Sequence, residues 1–128
     1  MKPPKKLCVG CPVQHALTFI GGKWQMGILW NLRKRALRFG ELRRHLPGLS
    51  EKVLAQNLRF FEREGIVGRK IFGEIPPRVE YGLTPEGARL LPVLAAIVKW
   101  GHAHLQEQKV TKRMRFTPRE TMEEIATL

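Results

Sequence analysis

Leu49-Ser50-Glu51-Lys52-Val53-Leu54-Ala55-Gln56-Asn57-Leu58-Arg59-Phe60-Phe61-Glu62-Arg63-Glu64-Gly65 is the stretch that decides the fold. Ser50 is a preferred N-cap residue and Gly65 a helix stop, so the spacing predicts one long helix over 51–64. Laid out from Lys52 at about 100° per residue, Phe61, Leu54 and Leu58 fall at about 180°, 200° and 240°. Lys52, Gln56, Arg59 and Arg63 gather on the opposite side, at about 0°, 40°, 340° and 20°, with Ala55 beside them. The acids Glu51, Glu62 and Glu64 lie off that line. One stripe is therefore made for a core, and the other presents cations and an amide. Arg and Lys match the O6/N7 edge of guanine, and Gln matches the N6/N7 edge of adenine. The ordinary alternative is the solvated face of a basic protein.

The neighbours of this helix sharpen the choice. Gly40 to Leu46 reads as a two-turn helix ended by Pro47-Gly48, and the short joint to Ser50 makes the pair a helix-turn-helix. After Gly65, Ile66 to Phe72 is a strand, Gly73 to Pro77 a loop, and Arg78 to Leu83 a second strand with Val79, Tyr81 and Leu83 on one face. Helix-turn-helix followed at once by a hairpin is the winged-helix order. The expected fold is mainly α, a winged helix-turn-helix with a two-stranded β wing and extra helices at both ends. Arg78, at the base of the hairpin, is expected to touch phosphate or enter a minor groove. Its alternative is an ion pair with Glu74 or Glu80. Lys70 is read as plain surface.

Upstream, Pro12 opens a helix to about Ile20, with Val13, Ala16, Leu17 and Ile20 on one stripe. Gly21-Gly22 stop it. A second helix runs from Lys23 to about Arg33, with Trp24, Ile28 and Leu32 inward, and Arg38-Phe39 is a short extended step. Downstream, Thr84-Pro85-Glu86 is a strong helix start. That helix is expected to reach about Gln108, with Pro92 bending or breaking it early. It is apolar around most of its circumference, more than one small domain needs to cover. A basic arm (1–11), a DNA-binding core (23–83) and a tail (109–128) with a short helix candidate over 118–128 complete a single domain of 128 residues.

Composition agrees with a soluble globular chain, 43% hydrophobic and 27% charged. No run of ~18 apolar residues suggests a membrane span, and no signal-like apolar region follows Met1, so a cytoplasmic location is expected. Lys and Arg number 23 against 11 Asp and Glu, a net charge of +12 that calls for a polyanion. Residues 1–37 carry seven cations and no acid, whereas 84–108 are balanced at two against two. The neutral, apolar segment has a different task, which is read as self-association. Cys8 and Cys11 have Cys-x-x-Cys spacing without a second pair, and His15, His45, His102 and His104 offer no ligand spacing, so no metal or other cofactor is expected. Ser50, His15 and Cys11 lie on separate elements with no supporting third group, which argues against an enzyme. The absence of aromatic residues alternating with the cations argues against RNA. The remaining rival is a winged-helix protein-interaction module without specific DNA binding.

Six motifs occur in order: Cys11-Pro12-Val13, Gly21-Gly22-Lys23-Trp24, Arg38-Phe39-Gly40-Glu41-Leu42, Leu46-Pro47-Gly48-Leu49-Ser50, Pro76-Pro77-Arg78-Val79-Glu80-Tyr81 and Leu83-Thr84-Pro85-Glu86-Gly87. Over about residues 8–105 the chain resembles the HxlR-type family of bacterial winged-helix transcription regulators. The resemblance implies a homodimer on double-stranded DNA, repressing or activating transcription, with the first and last helices forming the dimer. Leu17, Ile20, Leu91, Leu94 and Val98 are the expected interface residues, and a two-fold dimer expects a palindromic operator. Ser50, Lys52, Ala55, Gln56, Arg59, Arg63 and Arg78 are the expected DNA contacts. Some family members sense oxidants or electrophiles through the Cys-Pro cysteine, here Cys11. A thiol at a helix N-terminus is favoured as thiolate, and Lys5 and Lys6 add positive potential, which makes Cys11, with Cys8 as a second thiol, the redox candidate. Its bland alternative is a small buried capping residue. Trp24, Trp30 and Trp100 are read as core or interface residues rather than as an effector pocket. Phe60 stands where family members more often carry a polar side chain.

Overall fold

The computed structural model describes residues 10–107. The expectations for residues 1–9, including Cys8, and for the tail with its helix candidate over 118–128 lie outside the described residues. Elements follow in the order α1 (Pro12–Ile20), α2 (Gln25–Asn31), β1 (Leu37–Arg38), α3 (Phe39–Arg44), α4 (Glu51–Arg63), β2 (Val67–Phe72), β3 (Arg78–Leu83), α5 (Pro85–Ala88) and α6 (Leu91–Glu107).

The core gathers on α2, whose short helix is buried nearly all round. Ile28, Leu29 and Trp30 are fully covered, joined by Leu42 and Leu46 from the α3 region, Leu54, Leu58 and Phe61 from α4, and Leu94 and Val98 from α6. Gly27 admits this closeness, since a Cβ there would stand 3.0 Å from the Leu46 methyl Cδ2. The expected inward trio of α2 misses Leu29 and Trp30, because a central helix has no outward face for periodicity to reveal.

α4 begins and ends by local chemistry. The Ser50 hydroxyl accepts the Val53 N–H at 3.1 Å, one of the orphan donors of a helix start. At the other end Gly65 adopts φ +72°. Its N–H reaches Glu62 O at 3.1 Å and the Ile66 N–H reaches Phe61 O at 2.8 Å, which is the Schellman closure. The chain is thereby turned straight into the wing. β2 and β3 pair antiparallel from Val67↔Leu83 to Phe72↔Arg78.

Two expectations are amended. The sheet has three strands, in the order β1-β3-β2, because the extended step before α3 pairs Leu37 with Tyr81 and Arg38 with Glu80. A two-residue strand carries too short an alternation to be read from sequence. The helix expected over 84–108 is two helices, α5 and α6, divided at Arg89-Leu90. Pro92 lacks the N–H that would bond the Ala88 carbonyl, and Ala88 is where α5 ends. α5 keeps its foreseen cap, Thr84 Oγ1 accepting the Gly87 N–H at 3.0 Å.

α6 turns the expected interface around. Leu94 is 0% exposed, Val98 4% and Ile20 8%, all inside the protomer's own core. These three cannot bury appreciable area against a second chain, and Leu91 is half-buried against the same core. Of the expected five only Leu17 is exposed; its exposed apolar companions are Val13 on α1 and Val93, Ile97 and Trp100 on α6.

Candidate nucleic-acid interface

α4 presents its two faces as the spacing requires. Leu54, Leu58 and Phe61 are buried, while Lys52, Gln56, Arg59 and Arg63 are exposed and Ala55 is half-buried beside them. Two of the nearby carboxylates are occupied elsewhere. Glu51 pairs with Arg43 on α3 at 3.1 Å, and Glu62 with Arg69 on β2 at 3.2 Å. Among the described residues Lys52, Arg59 and Arg63 have no carboxylate partner. The helix thus projects three uncompensated cations and one free amide along a single line, with two of its acids tied back to the scaffold. Ser50 is exposed, its hydroxyl oxygen accepting one bond as the N-cap and its O–H left to donate.

The turn in front of α4 is fixed from both sides. Arg43 also donates Nε–H to Leu49 O at 3.2 Å, and Gly48 takes φ +90°, where a side chain would be strained. α3 is capped through Glu41: its carboxylate accepts the Arg38 N–H at 3.0 Å and pairs with Arg35 at 3.2 Å. These two donors, the backbone N–H first, hold the Glu41 carboxyl below its usual range.

The wing departs from expectation at Arg78. Its Nη2 lies 3.3 Å from Glu74 and its Nε 3.7 Å from Glu80, and its guanidinium sits 4.0 Å over the Phe72 ring. The ion-pair alternative weighed for this residue is what the fold contains, so Arg78 is not the open cation expected of a phosphate contact. It staples the loop to the two strands. Lys70, read as plain surface, is an exposed cation of the wing without a carboxylate partner among the described residues, its ammonium 5.0 Å from the Phe72 ring centroid.

Sequence reasoning missed a cleft of about 380 Å3 between the turn before α2 and the exposed cationic side of α4, lined by Lys23, Trp24, Gln56, Asn57, Phe60 and Arg63 among others. Gly21-Gly22-Lys23-Trp24 signals only a stop and a start; what brings it to α4 is tertiary packing. Cys11 is the half-buried N-cap of α1, its carbonyl accepting the His15 N–H at 3.0 Å. Among the described residues no three His, Cys, Asp or Glu side chains cluster as metal ligands, and no helix is long and apolar enough to cross a membrane.

The sequence model of the HxlR-like helix-turn-helix family matches residues 19–109. The chain belongs to this HxlR-like family. An HTH-type transcriptional regulator of Methanothermobacter thermautotrophicus is 38% identical over 99 residues, covering 77% of this chain and 76% of that one. The crystal structure of a MarR-family transcriptional regulator from Porphyromonas gingivalis W83 superposes with a TM-score of 0.70 at 41% identity, covering 77% of this chain and 96% of that one. The redox regulator HypR in its reduced form superposes with a TM-score of 0.73 at 34% identity over 78% of this chain and 99% of that one. This HxlR-like chain is a winged-helix DNA-binding transcription regulator and not an enzyme.

Proposed function

We propose that the protein is a homodimeric, sequence-specific regulator that reads a palindromic duplex through α4. The observation that carries this reading is the line of Lys52, Gln56, Arg59 and Arg63, exposed together and without carboxylate partners among the described residues. Gln56 and Arg59, near the middle of the helix, read base edges. Lys52 and Arg63, toward its ends, meet phosphates, with Ser50 and Ala55 alongside as close contacts. The wing meets the backbone through Lys70, with Arg78 holding the hairpin rigid.

Dimerisation uses the outward apolar line Val13, Leu17, Val93, Ile97 and Trp100, in place of the residues already spent on the core. Cys11, on the same α1 helix, carries a response to oxidants or electrophiles. This is supported by its place at a helix N-terminus and by the likeness to HypR, which is known in reduced and oxidised forms.

Selection of bound duplexes from a random pool tests the whole reading. The expected product is a two-fold symmetric site with half-sites one helical turn, ~34 Å, or a multiple of it apart. Recovery of no common sequence, with weak and uniform duplex binding, favours the protein-interaction module instead.

A further inference from the structure

The cleft beside the recognition line has no assigned task, and its construction is specific. Gln25 is 6% exposed. Its side-chain oxygen accepts the Gly22 N–H at 2.6 Å, and its Nε2 donates to Thr18 O at 2.8 Å. One buried amide thus clamps the turn between α1 and α2 from both sides. A side chain on either glycine of the turn would crowd this arrangement. A Cβ on Gly21 would meet Leu17 O at 2.6 Å, and one on Gly22 would meet Gln25 Oε1 at 2.9 Å. Lys23 follows directly and is exposed, with its ammonium 5.5 Å from the Trp24 ring centroid. Across the cleft stand Gln56, Asn57 and Arg63 of α4, with Phe60 on its floor side.

The chemistry of this opening is one-sided. It contains two cations, Lys23 and Arg63, with side-chain amides between them, and no carboxylate lines it. Gln56 and Arg63 belong to the line that faces the duplex, so the mouth of the cleft and the recognition line open on the same side. A positive recess beside a helix in the major groove is where the sugar-phosphate backbone bordering that groove has to pass. The turn is also rigid, which a positioning contact requires and a loosely tethered lysine lacks.

We infer that Lys23 and Arg63 form a backbone-phosphate clamp that sets the depth and register of α4 in the major groove. Lys23 supplies the contact from outside the helix-turn-helix, and the Gly21-Gly22 turn with Gln25 holds it in place. This rests on the DNA reading proposed above. It adds a phosphate contact from a different part of the chain, with no base preference of its own.

The test compares wild type, Lys23→Gln, Lys23→Arg and Arg59→Ala by fluorescence anisotropy, on the selected duplex and on a random one, across a salt series. Lys23 is exposed, so its variants leave the core untouched. Lys23→Gln is expected to lose the same several-fold affinity on both duplexes and to show a salt slope shallower by ~0.9, the signature of one phosphate fewer. Lys23→Arg should keep the wild-type slope. A single neutral methylphosphonate in each half-site should then weaken wild type but not Lys23→Gln. An unchanged slope in Lys23→Gln, with Arg59→Ala still relaxing specificity, overturns the clamp alone. Absence of duplex binding by the wild type overturns the clamp together with the reading beneath it.

Discussion

Single side chains here divide into those that hold the scaffold and those left free, and the division follows charge pairing. Arg43, Arg69 and Arg78 are each bound to a carboxylate, Arg78 although its place in the sequence suggested a DNA contact. Arg59 has none among the described residues. Arg59→Ala should therefore leave stability near wild type, while costing ~1–3 kcal/mol on the selected duplex and relaxing one base position per half-site. Equal loss on random duplex would make Arg59 a phosphate contact. Glu41 is a scaffold residue of the opposite sign. The Arg38 N–H and the Arg35 guanidinium lower its carboxyl in the folded chain from the ordinary value of 4.5. A lowered folded value means that the contribution is present above the unfolded pKa and disappears as the pH falls through the folded one. Acid titration of Glu41→Gln should accordingly show a weaker fall in stability below pH ~4.5 than wild type. Identical acid profiles would mean that the Arg38 and Arg35 contacts persist in the unfolded chain.

Among the elements, α6 is the one whose two faces the sequence could not tell apart. It is apolar inside, at Leu94, Ala95 and Val98, and apolar outside, at Val93, Ile97 and Trp100. Periodicity finds a stripe only where the other side is polar, so the expected interface fell on the inner face. α4 is the contrary case. Its core stripe, its outward line and both its ends were legible, because polar and apolar residues alternate at helical spacing and Ser50 and Gly65 mark the boundaries. Helix-turn-helix and hairpin followed from the same local signals. What stayed hidden depended on distant partners: the β1 pairing with β3 and the cleft that sets Lys23 across from α4. The two faces of α6 make opposite predictions. Leu94→Ala, at a fully buried site, should cost ~2–5 kcal/mol of folding stability. Ile97→Glu changes a side chain 42% exposed, so thermal stability of the protomer should change little, while sedimentation shifts from dimer to monomer. A dimer that survives Ile97→Glu and Trp100→Glu together would place the two-fold axis elsewhere.

For the molecule as a whole, the proposed response has to couple Cys11 on α1 to the proposed reading line on α4. Cys11 caps α1, whose exposed Val13 and Leu17 belong to the proposed dimer face. On its other side α1 touches α4 by an aromatic chain: His15 on Phe19 at 5.3 Å, Phe19 on Phe60 at 5.7 Å and Phe60 on Phe61 at 5.5 Å between ring centroids. Phe60 is thus the link between the thiol-bearing helix α1 and α4. An adduct on the half-buried Cys11 would press on the first turn of α1, which carries part of the proposed dimer face. Two recognition helices one turn apart on DNA tolerate little change in their relative angle, so the loss should appear in paired binding before single binding. Alkylation of Cys11 is therefore expected to weaken a duplex with two half-sites strongly and one with a single half-site little. Cys11→Ser should be indifferent to the reagent. Reaction at neutral pH should outpace that of a small free thiol, whose pKa is ~8.5, since the rate follows the thiolate fraction. Phe60→Ala in the same assay separates the two routes. If the response survives in it, the adduct acts through the dimer face; if the response is lost, the aromatic chain carries it. Should Cys11→Ser respond like wild type, the thiol is only the cap of α1, and the protein answers to another signal.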